Sequence, residues 1–125
     1  MLLKNHKIYD YAQNLLNAFS DGEQRLPIVL NFHIQKNKRV LVELAQEIER
    51  ERMIIAQTFG EFDAESSQYT IPPEKIDEAQ KELSDLFELE QEVNIGRIKL
   101  SSLSDEYNLT TAQMEAIMFM IDEEA

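Results

Sequence analysis

Carboxylates are the side chains this 125-residue sequence holds in numbers that chemistry would use, 24 Asp and Glu against two His and no Cys. Glu43, Glu47 and Glu51 recur at four-residue steps, and Glu74/Asp77 and Glu82/Asp85 form two E-x-x-D pairs. Acidic pairs on facing helices can hold a magnesium ion through oxygen ligands, the arrangement a metal-dependent nucleotide hydrolase needs. In a chain this acidic, however, pairs at such spacing arise by chance. His6 and Asp10 lie one turn apart and His33 stands alone, which falls short of a ligand set. The absence of Cys removes disulfides, thiolate nucleophiles and Cys-ligated metals, and no G-x-S-x-G is present. The three glycines, Gly22, Gly60 and Gly96, are too far apart for a phosphate-cradling loop. No catalytic, cofactor-binding or metal residue is assigned, and the chain is expected not to be an enzyme.

Charge says more than motif. The formal net charge is −12, and residues 61–125 hold seventeen acids against four bases, Lys75, Lys81, Arg97 and Lys99. Affinity for nucleic acid or an anionic membrane depends on Lys and Arg displacing counterions, so neither is an expected direct partner. Glu82, Asp85, Glu88, Glu90 and Glu92 instead form an acidic patch suited to docking a basic protein, including one that normally binds nucleic acid. Ser101 to Met120 has a helix-turn-helix cadence, but its second helix offers Gln113 as its amide, Glu115 as its charge and no Lys or Arg. Base reading by that segment is rejected.

The elements that must position these groups follow from periodicity. Pro27 to Phe59 is free of Gly and of internal Pro, and Pro at the first turn with Gly60 past the end marks both termini of one long helix. At helical rise it spans ~50 Å. Leu30, Ile34, Asn37, Leu41, Leu44, Ile48, Glu51, Ile55 and Phe59 alternate at steps of four and three, a seam for a partner helix. A polar Asn37 on such a seam fixes register or oligomer state, or else marks where the seam frays to solvent. Asn5 is expected to cap a first helix with Ile8, Ala12, Leu15, Leu16 and Phe19 on one face, ending at Ser20-Asp21-Gly22. Pro72 and Pro73 open a second amphipathic helix with Ile76, Ala79, Leu83, Leu86 and Phe87 inward, the natural antiparallel partner of the long one. Glu92 to Leu100 alternates like a strand with a bulge near Gly96, and Tyr69–Ile71 is its most available mate. Thr110 and Gln113 form a capping box for an apolar helix from Ala112 to Ile121.

The expected fold is therefore mainly α, in one domain over 1–125: a long central helix with an antiparallel helical partner, a small two-stranded antiparallel β element, and an apolar C-terminal helix. The seam residues Asn37, Leu41, Leu44 and Ile48, with Met118, show more apolar surface than one short chain easily covers, so a homodimer is expected. The opening MLLKNHKIYDY meets Asp10 before an apolar run can form, and no stretch of ~20 apolar residues exists, so neither export nor a membrane span is expected.

The runs LPIVLNFHIQKNKRVLVELAQEIERERMIIAQTFGE, YTIPPEKIDEAQKELSDLFELEQEV with NIGRIKL, and LTTAQMEAIMFMIDEE give the chain a general pattern that resembles a family of small proteins encoded by tailed bacteriophages and prophages. The likeness covers nearly the whole chain and transfers no functional residue. It implies a setting, the cytoplasm of a bacterial host or a phage particle. It also implies a role, either a small acidic inhibitor of one host protein, such as a nucleic-acid-binding defence effector, or a virion or assembly component. The acidic pairs resemble those of the all-α nucleotide pyrophosphohydrolases more loosely, since the first-helix acids of those enzymes lie closer together.

Overall fold

The computed structural model describes residues 1–19, 26–99 and 109–122. Its organising element is α2, Ile28–Phe59, which forms as the sequence expects with Pro27 at its N-cap and Gly60 at its C-cap. Gly60 donates its N–H to the Ala56 carbonyl at 2.8 Å, and a Cβ at position 60 would collide with that same oxygen. Leu30, Ile34, Asn37, Leu41 and Ile48 are buried, all in the first two-thirds of the helix. Beyond Ile48 the helix runs out of the core, with Met53 and Ile54 exposed.

The stripe is covered within one chain. Helix α1, Asn5–Ala18, lays the buried Ile8, Ala12 and Leu15 along it, and Leu3, Val93, Ile98, Ile117, Met120 and Ile121 complete a single core cluster. Fully burying a side chain such as Leu or Ile contributes roughly 1.5–3 kcal/mol, so this is where most of the stability resides. Helix α3, Ile76–Glu88, follows a 3-10 turn at Pro73–Lys75 and packs on α2 and α1 with Ala79 buried and most of its length exposed.

Asn5 does not cap α1. Lys4 occupies the N-cap position without a side-chain bond, and Asn5, 1% exposed, turns inward instead. Its Nδ2 donates to the Leu86 carbonyl at 2.8 Å, its Oδ1 accepts from Gln91 Nε2 at 2.7 Å, and its backbone N–H donates to the Leu89 carbonyl at 2.9 Å. A buried amide with three partners holds the start of α1 against the end of α3.

The strands depart furthest from expectation. Three two-stranded sheets form among the described residues, and Tyr69–Ile71 does not pair with the stretch from Glu92 to Lys99. β1 (Leu2–Lys4) pairs antiparallel with β4 (Glu90–Glu92), Leu3 opposite Gln91. β2 (Glu61–Asp63) and β3 (Gln68–Thr70) make an exposed antiparallel hairpin, Phe62 opposite Tyr69. β5 (Ile98–Lys99) and β6 (Ile121–Asp122) pair in parallel, Ile98 opposite Ile121. The local hairpin wins for Tyr69 because Glu61 to Asp63 stands only a short turn away, so its loop costs less entropy than a return across α3.

Helix α4, Thr111–Ile117, begins with the expected capping box: Thr110 Oγ1 accepts from the Gln113 N–H at 3.1 Å and Gln113 Oε1 accepts from the Thr110 N–H at 3.0 Å. It ends earlier than expected. Met118–Met120 tighten into a 3-10 turn so that Ile121 can leave the helix and pair with Ile98, which buries Met120 and Ile121. No helix among the described residues is long and apolar enough to cross a membrane. The turn at Ser20–Gly22 and the first part of the helix-turn-helix cadence lie outside the described residues.

Candidate functional site

The five residues of the expected acidic patch separate into two groups. Glu82 and Asp85 lie exposed on the outer face of α3, with Asp77 and Glu78 in its first turn and Glu74 in the 3-10 turn before it, and none of these five makes an ion pair among the described residues. Glu88, Glu90 and Glu92 instead flank β1. Glu88 Oε2 accepts from Lys4 Nζ at 2.7 Å with His6 Nε2 4.0 Å from its other oxygen, Glu92 accepts from the Met1 amino group at 2.7 Å, and Glu90 is the register partner of Lys4. The hydrogen bond from Lys4 and its charge hold the Glu88 carboxyl below its usual value, and the same contact raises Lys4. The face whose acids make no ion pair among the described residues is therefore α3 up to Asp85 with the turn before it, where Lys75 and Lys81 stand among five acids, and it differs from the patch expected from sequence.

The expected oligomer seam is also redrawn. Asn37 and Leu41 are 0% exposed and Ile48 3% exposed inside one chain, Leu44 is partly buried, and Met118 alone of the five is exposed, at 52%. The reason is α1 together with the segment before β5, which occupy the place a second copy would take. Asn37 Nδ2 donates to the Gly96 carbonyl and the Gly96 N–H donates to Asn37 Oδ1, both at 2.8 Å, with Met120 Sδ 3.3 Å from Nδ2. Its polarity on the stripe thus serves an intramolecular clamp.

That clamp borders a cavity. Between the first turns of α2 and β5 lies a space of about 290 Å³ lined by Leu30, His33, Arg97, Ile98 and Lys99, with Pro27 and Val29 at its edge. Ile98 is 3% exposed at the edge of the core, and its neighbours Arg97 and Lys99 are exposed. Neither cation forms an ion pair among the described residues. His33 Nδ1 is buried with no hydrogen-bond partner, and a Cβ at Gly96 would stand 3.0 Å from it. The backbone can approach this closely because residue 96 has no side chain. Sequence reading assigned Arg97 and Lys99 to a strand face and left His33 alone on its helix.

The acidic pairs considered for magnesium are not brought together. Glu47 and Glu51 line a groove of about 540 Å³ between α2 and the end of α3, but Arg50 shares it and Glu82 and Asp85 do not reach it. Among the described residues no three His, Asp or Glu side chains gather as a metal site. Comparison with protein-family models, curated proteins and solved structures found no match.

Proposed function

We propose that the chain is a non-enzymatic phage-encoded protein that docks the outer face of α3 on a basic patch of a bacterial host protein and blocks it. The observation that carries this reading is the exposed row Glu74, Asp77, Glu78, Glu82 and Asp85, interrupted by Lys75 and Lys81 and free of ion pairs among the described residues. Carboxylates stepped along a helix offer the Lys and Arg of a nucleic-acid groove the anionic partner they otherwise find in phosphates. A nucleic-acid-binding defence effector is the kind of host protein that fits. The resemblance to small tailed-phage proteins supports the setting, and the net charge of −12 supports attraction to a basic surface, raising the rate of encounter at low ionic strength. Affinity capture from bacterial lysate at low and moderate salt tests it. A host protein retained at low salt and released at moderate salt is the expected result, and retention of nothing but phage particle proteins would overturn it.

The second reading, a virion or assembly component, draws on a different observation. Ile28, Val29 and Phe32 at the head of α2 are 84%, 65% and 63% exposed, an apolar cluster that assembly would cover. On that reading particle size grows with protein concentration, which sedimentation measures, and a fixed small species over a wide range contradicts it.

A further inference from the structure

We propose that the cavity between the head of α2 and β5 is a binding site for a small organic anion, a phosphate or carboxylate head on a compact apolar body. The site stands apart from the α3 face and does not depend on how that face is used. Two observations converge on it. In a chain of net charge −12, Arg97 and Lys99 both line this one space and neither has an ionic partner among the described residues. The head of the 32-residue α2 opens beside it, with Pro27 at the N-cap and, among the described residues, no side-chain cap and no acid in its first turn, so its dipole favours negative charge there. His33 also lines the space, but its Nδ1 is buried against Gly96 and does not open into it.

The walls decide what kind of anion. Leu30, Ile98 and Val29 make the cavity largely apolar, and about 290 Å³ is near the lower end of small-molecule sites, room for one ring or a short branched chain. Arg97 presents a planar fork that takes a phosphate or carboxylate in two parallel bonds, whereas Lys99 adds a point charge and has Asp122 as its register partner. Arg97 is therefore the main anchor. Its position is set through Asn37, whose paired bonds to the Gly96 peptide hold the residue next to it; Asn37 is a positioning residue, and Arg97 and Lys99 are the binding ones.

Phenyl phosphate, benzoate, inorganic phosphate and benzyl alcohol are the probes, read by amide chemical shifts of the full chain. The expected result is a saturable shift confined to residues 27–33 and 96–99 with phenyl phosphate or benzoate, whichever head binds better naming the source. Inorganic phosphate, lacking the body, and benzyl alcohol, lacking the charge, should each bind about tenfold more weakly or less. Arg97→Gln with Lys99→Gln should weaken phenyl phosphate at least about tenfold while leaving the ligand-free thermal midpoint in place, since both side chains are exposed. Lys36→Gln with Arg39→Gln, the same charge change elsewhere on α2, should not alter it. No saturable shift with either ring anion at millimolar concentration, or equal weakening by the two double variants, overturns the proposal.

Discussion

The amide of Asn37 and the peptide of Gly96 exchange two 2.8 Å hydrogen bonds across 59 residues of sequence, fully buried on the Asn37 side. The side chain does for that peptide what a neighbouring strand would do, giving one N–H and taking one. Leu at position 37 would fit the stripe yet leave a donor and an acceptor of the Gly96 backbone unpaired. Asn37→Leu is expected to cost about 2–4 kcal/mol, read by urea denaturation. Because the seam is covered by the chain's own α1, the variant should sediment as the wild type does. A changed oligomeric state at unchanged stability would return Asn37 to an interface.

The Lys4–Glu88 pair sets a pH dependence whose sign follows from its two shifts. Glu88 is lowered from 4.5 by the Lys4 hydrogen bond, so its contribution is present above 4.5 and lost as pH falls through the depressed folded value. Lys4 is raised from 10.5 by the same bond, so its contribution is present below 10.5 and lost as pH rises through the elevated one. The stability difference between wild type and Lys4→Met should be level between those limits and shrink outside both. Both groups are exposed, and added salt should reduce the difference throughout.

Ser67 holds a positive φ of 56° in the turn between β2 and β3, where Asp63 Oδ1 accepts from the Glu65 N–H at 3.0 Å. Ser67→Asn should stabilise the hairpin by roughly 0.5 kcal/mol and Ser67→Val should destabilise it by about 1–2 kcal/mol, Asn tolerating the left-handed region and a β-branched residue resisting it. Every residue from 61 to 70 is exposed, so the effect belongs to local opening and hydrogen exchange at Phe62 and Tyr69 is the readout.

Thr110→Ala removes one arm of the capping box and should cost about 1 kcal/mol in thermal or chemical unfolding. Gln113→Ala should cost more. Gln113 supplies the reciprocal arm and its Nε2 also donates to the Ala18 carbonyl at 3.0 Å, joining the start of α4 to the end of α1.

What was legible in the sequence was what is decided locally. Pro27, Gly60 and an unbroken apolar period between them gave α2 within a residue, and Thr110 with Gln113 gave the start of α4. The strand stretches around Tyr69 and Ile98 were legible, but their partners were not: Glu90-Gln91-Glu92 has no apolar residue to mark a strand, and Asn5 positions β4 from the far end of the chain. Counting acids along the chain found Glu88, Glu90 and Glu92 but could not see β1 arriving beside them. Asn37 was legible as a polar residue on an apolar stripe, yet its partner is a glycine peptide, which has no side chain to announce it. The cavity needed tertiary structure for the same reason, since His33 and Arg97 meet only when the segment around Gly96 is held down.

The most direct test of the α3 face is charge reversal at Glu82 and Asp85, compared with the same reversal at Glu61 and Asp63 on the exposed hairpin, with binding of the captured host protein titrated at fixed ionic strength. Both pairs change net charge equally, so only placement differs. Strong loss of affinity for Glu82→Lys with Asp85→Lys, and near-wild-type affinity for Glu61→Lys with Asp63→Lys, is the result predicted here. Equal loss from both, or none from either, would contradict docking through α3.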